Sequence, residues 1–237
     1  MAHKKIVFVI VEGPSDETAL GAILSGIYGV NKVHIHITHG DITTDSKIRS
    51  DGIVKKLAAI VKEYANSMHF TRNDFQQVIH LVDMDGAYIP DTAVIENAEA
   101  NRCIYSLSDI QASRPANIRL RNRHKQDIIN RISKLNQVWV SIPYSAYYMS
   151  CNLDHVLYGK LNSSDEDKES DAYDFVCKYK DDLDGFLAYI SDSEFSVMDG
   201  YRESWEFIKK DLHSLERHTN LGLCFTQLRA ERVQNLD

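Results

Sequence analysis

Two short apolar runs, each closed by an acidic residue, constrain the fold of this chain more than any other feature. The first, KKIVFVIV (Lys4 to Val11), stops at Glu12; the second, QVIHLV (Gln77 to Val82), stops at Asp83. Short β-branched runs without polar alternation predict strands buried on both faces, as in a parallel sheet. After the first, Gly13 and Pro14 turn the chain, Ser15 or Asp16 can cap, and Leu20, Ile23, Leu24 and Ile27 recur at helical spacing. A second strand is expected at Val33 to Thr38, then a polar loop, His39 to Asp45. A helix follows from about Ser50 to Tyr64, with Ile53, Leu57, Ile60, Val61 and Tyr64 on one side. This alternation predicts an α/β fold with right-handed crossovers and a mostly parallel central sheet flanked by helices, its sites gathered at the carboxyl ends of the strands.

Beyond Asp85 the pattern loosens into a loop and short helical pieces. A helix is expected at Lys125 to Leu135, a fourth strand at Val138 to Ile142 (VWVSI), and helices at Asn152 to Leu161, Ala172 to Ile190 and Tyr201 to Leu215. Asn162 to Asp171 reads as an acidic, polar break, and the composition shift near 160 marks the best boundary.

With 237 residues and a net charge of −7, the chain suits one generous domain or a core with an appendage, and not a protein that coats nucleic acid by bulk attraction. The charge is unevenly placed. Seven basic residues against Asp127 lie between Arg114 and Lys134, a balance of +6, whereas nine acids against three lysines between Asp165 and Asp184 give −6. The first apolar run is too short for a signal peptide or a membrane span, which leads to the expectation of a cytoplasmic protein without membrane association. Cys103, Cys151, Cys177 and Cys224 form no CxxC pair and read as reduced core thiols.

Neighbouring strand ends in a parallel sheet converge, so Glu12, Asp83 and Asp85 are expected close together although far apart in sequence. Close carboxylates repel unless a cation neutralises them, and oxygen-only ligands favour Mg2+ or Mn2+. On an extended strand end Asp83 and Asp85 would face one side, with Met84 turned away and Gly86 letting the backbone leave tightly. The bland alternative is that these acids cap helices and turns. Arg119, Arg121 and Arg123 alternate, so an extended conformation would present all three to successive phosphates of a nucleic acid, with Lys125 beside them; the alternative is a solvated basic face.

IVFVIVEGPSDETAL followed by VIHLVDMDG resembles the TOPRIM domain, whose signature is a glutamate-glycine turn after the first strand and a DxD motif after a later one. The acid four residues after the glutamate, here Asp16, is most similar to OLD-family and related phage-defence nucleases. The resemblance implies a TOPRIM-like Rossmannoid over residues 1–160, with an inserted basic segment at 90–136, and a helical C-terminal extension at 161–237. It implies Mg2+- or Mn2+-dependent hydrolysis of phosphodiester bonds in DNA or RNA, with Glu12, Asp83 and Asp85 catalytic and holding a first metal, or Glu12 serving instead as general acid or base, and Asp16 helping to hold a second. SCNLDHVLYGK (Ser150 to Lys160) resembles the late acidic segment of standalone abortive-infection relatives, which adds Asp154 as a ligand, or alternatively a helix cap, and Lys160 as a phosphate contact. OLD proteins also carry an ATPase. This chain has no GxxxxGK[ST], so such control implies a partner ATPase, and lone nucleases of this kind imply a homo-oligomer.

Two rival readings stand beside this one. VDMDGAYIPDT also resembles the first motif of haloacid-dehalogenase phosphatases, which would make Asp83 a nucleophile and Asp181-Asp182 the late acidic pair. That reading leaves the EGPSD turn unused and meets Ala87 where Thr or Val is expected. The other is a TOPRIM-like sensing module that binds nucleic acid or a phage protein without cleaving. Tyr144, Tyr147 and Tyr148 read as packing, and the acidic stretch from Asp165 to Asp184 reads either as solvated surface or as an internal mimic of nucleic acid.

Overall fold

A computed structural model describes residues 5–29, 32–38 and 41–234, with side chains to residue 231. Lys4 of the expected first strand, and His39 and Gly40 of the expected polar loop, lie outside the described residues. Strand β1 (Ile6–Val11) leads into helix α1 (Pro14–Tyr28), then β2 (Val33–Ile37), α2 (Ile53–Ser67) and β3 (Phe75–Asp83). A small lobe follows, with β4 (Val94–Glu96), β5 (Ile104–Tyr105) and β6 (Ile110–Ala112), and after it come α3 (Pro115–Ile132), β7 (Gln137–Val138) and β8 (Ile142–Met149). The remainder is helical: α4 (Leu153–Tyr158), α5 (Asp165–Tyr179), α6 (Leu183–Asp192), α7 (Tyr201–Ile208) and α8 (Thr226–Gln234). No helix of the described residues is long and apolar enough to cross a membrane.

The chain is α/β. Its main sheet has the order β2-β1-β3-β8-β7, with the first four strands parallel and only β7 antiparallel. All six residues of β1 are buried, because both of its faces carry a core. Phe8 and Ile10 pack with Leu57 and Val61 of α2, Ile128 and Ile132 of α3, and Trp205 and Ile208 of α7. Val7, Val9 and Val11 face the other way, onto Leu20 and Ile23 of α1, Phe175 of α5 and Phe186 of α6. This is the two-residue period of a strand read out as two layers. Each buried Val, Ile or Phe contributes about 1.5–3 kcal/mol, so β1 is among the parts of the fold that are hardest to open. The boundary expected near 160 falls in the loop between α4 and α5, and α5 and α6 share the core of β1 and α1.

The expected fourth strand is displaced. Trp139 and Val140 adopt left-handed backbone, φ 43 and 73, and form the turn between β7 and β8 instead of a strand. Strand β8 then runs past Pro143 to Met149, beyond Ile142 where the strand was expected to end. Pro143 pairs only with Gln137 of the edge strand β7, and the ladder with β3 begins at Tyr144, so the missing N–H disturbs no central hydrogen bond. The helix expected over Ala172 to Ile190 is two. Ser164 caps α5 inside the stretch read as a polar break, and the Asp182 carboxylate accepts from Gly185 N at 2.9 Å to start α6.

Candidate functional site

Glu12 leaves β1 at its carboxyl end, and Gly13 and Pro14 begin α1 at once. Asp16, on the first turn, reaches back. Its Oδ2 accepts from Glu12 N at 3.2 Å and Gly13 N at 3.0 Å, which fixes the turn by satisfying amides that a helix start leaves free. Asp83 is the last residue of β3 and stands beside Met149 of β8 in the ladder. The backbone then bends instead of continuing extended. Asp85 N donates to Cys151 O at 2.8 Å, and Asp85 and Gly86 both take left-handed conformations, φ 48 and 64. A Cβ on Gly86 would stand 2.7 Å from Leu215 Cδ2 and 2.9 Å from Ile110 Cδ1, so the sharp exit requires glycine.

Asn152, after β8, caps α4 by accepting from His155 N at 2.9 Å. The cap is therefore Asn152, and Asp154 is released to face the neighbouring acids; Lys168 of α5 approaches its Oδ2 at 3.6 Å. His155 places Nδ1 3.3 Å from Ser150 O, and burial pushes its imidazole down to about 4, so it serves as a neutral packing group. The result is a cleft of about 210 Å³ in which Glu12, Asp16, Asp83, Asp85 and Asp154 converge with Ser15, Asn152 and Lys168. All five acids singled out in the sequence line this one cleft.

The electrostatics follow from crowding. Burial, then Asp83 and Asp41, push the Glu12 carboxyl well above the usual carboxylate range. Burial, then Asp16 and Asp85, do the same to Asp83. Asp16 rises to about 6 through burial and the nearby Asp154, against its bonds from Gly13 and Glu12. Burial raises Asp154 while Lys168 opposes it. Such displaced carboxylates are common where a site is built to take a proton or a cation.

One ammonium is already in place. Lys125 of α3 is fully buried and ion-pairs with both Asp85 and Asp41. Burial alone would drive the proton off Lys125, but Asp85, Asp41 and Glu12 hold it on, well above the ordinary lysine range. Asp41 also accepts from Thr43 N at 2.7 Å; burial works against its charge, yet Lys125 and Thr43 keep it below the usual value. Among the described residues, no three His, Cys, Asp or Glu side chains stand as a ready metal-ligand set, and the Lys125 bond that turns Asp85 toward α3 is one reason.

The basic stretch is helical, not extended. At 100° per residue, Arg119 and Arg123 share a face and Arg121 lies on another. Arg119 donates to Asp91 O and Val94 O at 3.1 and 2.9 Å, and Arg123 pairs with Asp91 at 3.0 Å, so both tie α3 to the small lobe. Arg121 donates to Asp85 O and to the Tyr105 hydroxyl, each at 2.8 Å, and so holds the DxD turn from behind. These side chains and Lys125 are engaged within the protein. Lys160 is exposed, pairs with Asp171 at 2.8 Å and is not among the residues that line the cleft.

Sequence reasoning missed Asp41, Asn152 and Lys168. Asp41 had a signal, since it follows β2 just as Glu12 follows β1; Lys168 was hidden in an acidic run. Comparison with known proteins gives no further guide: no protein-family model, curated protein or solved structure matches the chain.

Proposed function

We propose that this chain is a TOPRIM-like nuclease that hydrolyses phosphodiester bonds of DNA or RNA with Mg2+ or Mn2+. One observation carries the reading: five carboxylates from three stretches of chain, Glu12 and Asp16 where β1 enters α1, Asp83 and Asp85 at the end of β3, and Asp154 on α4 after β8, converge in one cleft. An all-oxygen donor set with carboxyls pushed upward by mutual repulsion fits a hard divalent cation. Glu12, Asp83 and Asp85 would hold one ion, Asp85 turning from Lys125 to do so, and Asp16 with Asp154 a second. The cations, when bound, supply charge that stabilises the attacking and leaving oxygens of an in-line displacement.

The chain's own residues do the rest. Glu12, recessed and easily protonated, is placed to take or return a proton. Lys168 and the Ser15 hydroxyl stand at the wall to meet phosphate oxygens. The rival non-cleaving module has one observation in its favour: the Lys125 ammonium already neutralises part of the acidic charge. Incubation with plasmid, single-stranded DNA and RNA in Mg2+, Mn2+ or EDTA separates the two. Metal-dependent cleavage abolished by Asp83→Asn supports hydrolysis; binding without cleavage in every metal supports the module.

A further inference from the structure

After α7 the chain turns back over residues 209–219 and ties itself to the end of β8. Ser150 N donates to His218 O at 3.0 Å, Ser150 Oγ accepts from His218 N at 2.6 Å, and Cys151 N donates to Ser214 O at 2.9 Å. Cys151 O is the group that accepts from Asp85 N, and the Leu215 side chain stands against Gly86. The turn 209–219 therefore buttresses the Asp85-Gly86 bend from outside the acidic cleft, whose lining residues it does not share.

The same turn carries His213, Glu216 and His218. Glu216 Oε2 stands 3.9 Å from His213 Nε2 and 3.5 Å from His218 Nε2, both longer than the about 2.7–3.2 Å of a good hydrogen bond. His213 Nδ1 lies 2.7 Å from Phe207 O; a carbonyl only accepts, so the neutral ring carries its proton on Nδ1 and turns a bare Nε2 toward the carboxylate. A backbone-bonded Nδ1 with Nε2 free is the arrangement that orients a metal-binding histidine. Phe207 stacks on the His213 ring at 4.0 Å and meets His218 edge-on at 4.9 Å, which fixes both planes. His218 Nδ1 is buried without a partner, so this ring opens outward only through Nε2.

Around a tetrahedral ion with bonds of about 2.0–2.1 Å, neighbouring donor atoms stand about 3.3 Å apart and two imidazole centres about 5 Å apart. The two ring centres here are 5.6 Å apart. The set is therefore open by a few tenths of an ångström, which Glu216, its side chain 43% exposed, can close by a small swing. Two imidazoles and one carboxylate suit Zn2+ and not Mg2+. We propose that His213, Glu216 and His218 bind one Zn2+ through both Nε2 atoms and a Glu216 oxygen, and that the ion braces the turn on which the Asp85-Gly86 bend rests. The site is separate from the acidic cleft and does not depend on cleavage there.

The test is calorimetric titration of the whole chain, stripped with EDTA and dialysed, with ZnCl2 in an excess of Mg2+, which occupies oxygen-only sites and leaves imidazoles free. One Zn2+ per chain binds with a Kd below about 10 µM. Glu216→Gln and His213→Gln each weaken it at least about tenfold, and Asp83→Asn leaves it unchanged. Glu216→Gln, at the most exposed of the three positions, keeps the metal-free melting temperature and decides the matter if the histidine variant folds poorly. At about a hundredfold excess of Zn2+ over its Kd the parent melts about 5–10 °C higher, and amide exchange slows across 209–219 and at Ser150 and Cys151. No saturable binding, an affinity in Glu216→Gln equal to the parent's, loss of binding in Asp83→Asn, or exchange at Ser150 and Cys151 that Zn2+ leaves unchanged would each overturn the proposal.

Discussion

Replacing Lys125 by Met tests whether the buried ammonium is the counter-charge that lets the acidic cleft exist without a cation. Met keeps the apolar stem and removes the charge, leaving Asp41 and Asp85 facing each other across a buried gap. Breaking a buried pair by removing one partner costs about 3–5 kcal/mol. For a domain of this size, in which 1 kcal/mol moves Tm by about 2–4 °C, the fall is about 6–20 °C in EDTA. A divalent cation can then take the vacated role. At a hundredfold excess over its Kd it restores about 2.7 kcal/mol, and the parent should gain less, because its ammonium competes for the same carboxylate. Urea denaturation of parent and variant, each in EDTA and in Mn2+, measures all four numbers. A variant within ~1 kcal/mol of the parent in EDTA, or an equal gain from Mn2+ in both proteins, would refute the reasoning.

Other predictions are more direct. Asp83→Asn removes one of several repelling carboxyls, so it should stabilise the metal-free protein by about 1 kcal/mol while lowering metal-dependent cleavage by at least about a thousandfold, read from melts and plasmid nicking. His80 is buried against the Tyr144 hydroxyl, and burial lowers its imidazole from 6.5 to about 4. The unfolded chain therefore takes the proton first, so the stability His80 confers is whole above pH 6.5 and is lost as pH falls toward 4, to the extent of about 3 kcal/mol. Glu12 and Asp83, raised when folded, act with the opposite sign, so the comparison must be with His80→Gln: the substituted protein should lose less stability between pH 7 and 4.5 in urea titrations, and identical slopes would refute the assignment. Gly86→Ala forces a side chain into Leu215 and Ile110 at φ 64 and should cost about 2–4 kcal/mol in a thermal melt, because both space and backbone are wrong for it.

Much of this architecture is legible from local pattern, and the reasons for the failures are equally physical. Ile6–Val11 announces a strand buried on both sides because no polar residue interrupts it, and Glu12 and Asp83 announce a site because strand ends of a parallel sheet converge. What periodicity cannot carry is pairing. Trp139 and Val140 have the composition of a strand, yet they lie where the chain must reverse to join β7 to β8, and the turn overrides their preference. The arginines of α3 look like an exposed basic strip because their partners, Asp91, Val94 O and Asp85 O, are 25–36 residues away. Lys125 is the extreme case, a lysine in a basic run whose neutralising acids come from the loop after β2 and the turn after β3.

The ladder between β3 and β8, running in unbroken register from Val78 beside Tyr144 to Asp83 beside Met149, turns the sheet into a ruler for the acids. Alternate residues of β3 face opposite layers, so gaining or losing one residue upstream of Asp83 would invert its side and aim the carboxyl at a hydrophobic layer. Length changes are therefore tolerable in the loop that precedes β3 but not within the strand or in the Asp85-Gly86 turn that follows it, a rule that an insertion scan across residues 70–86 can check residue by residue.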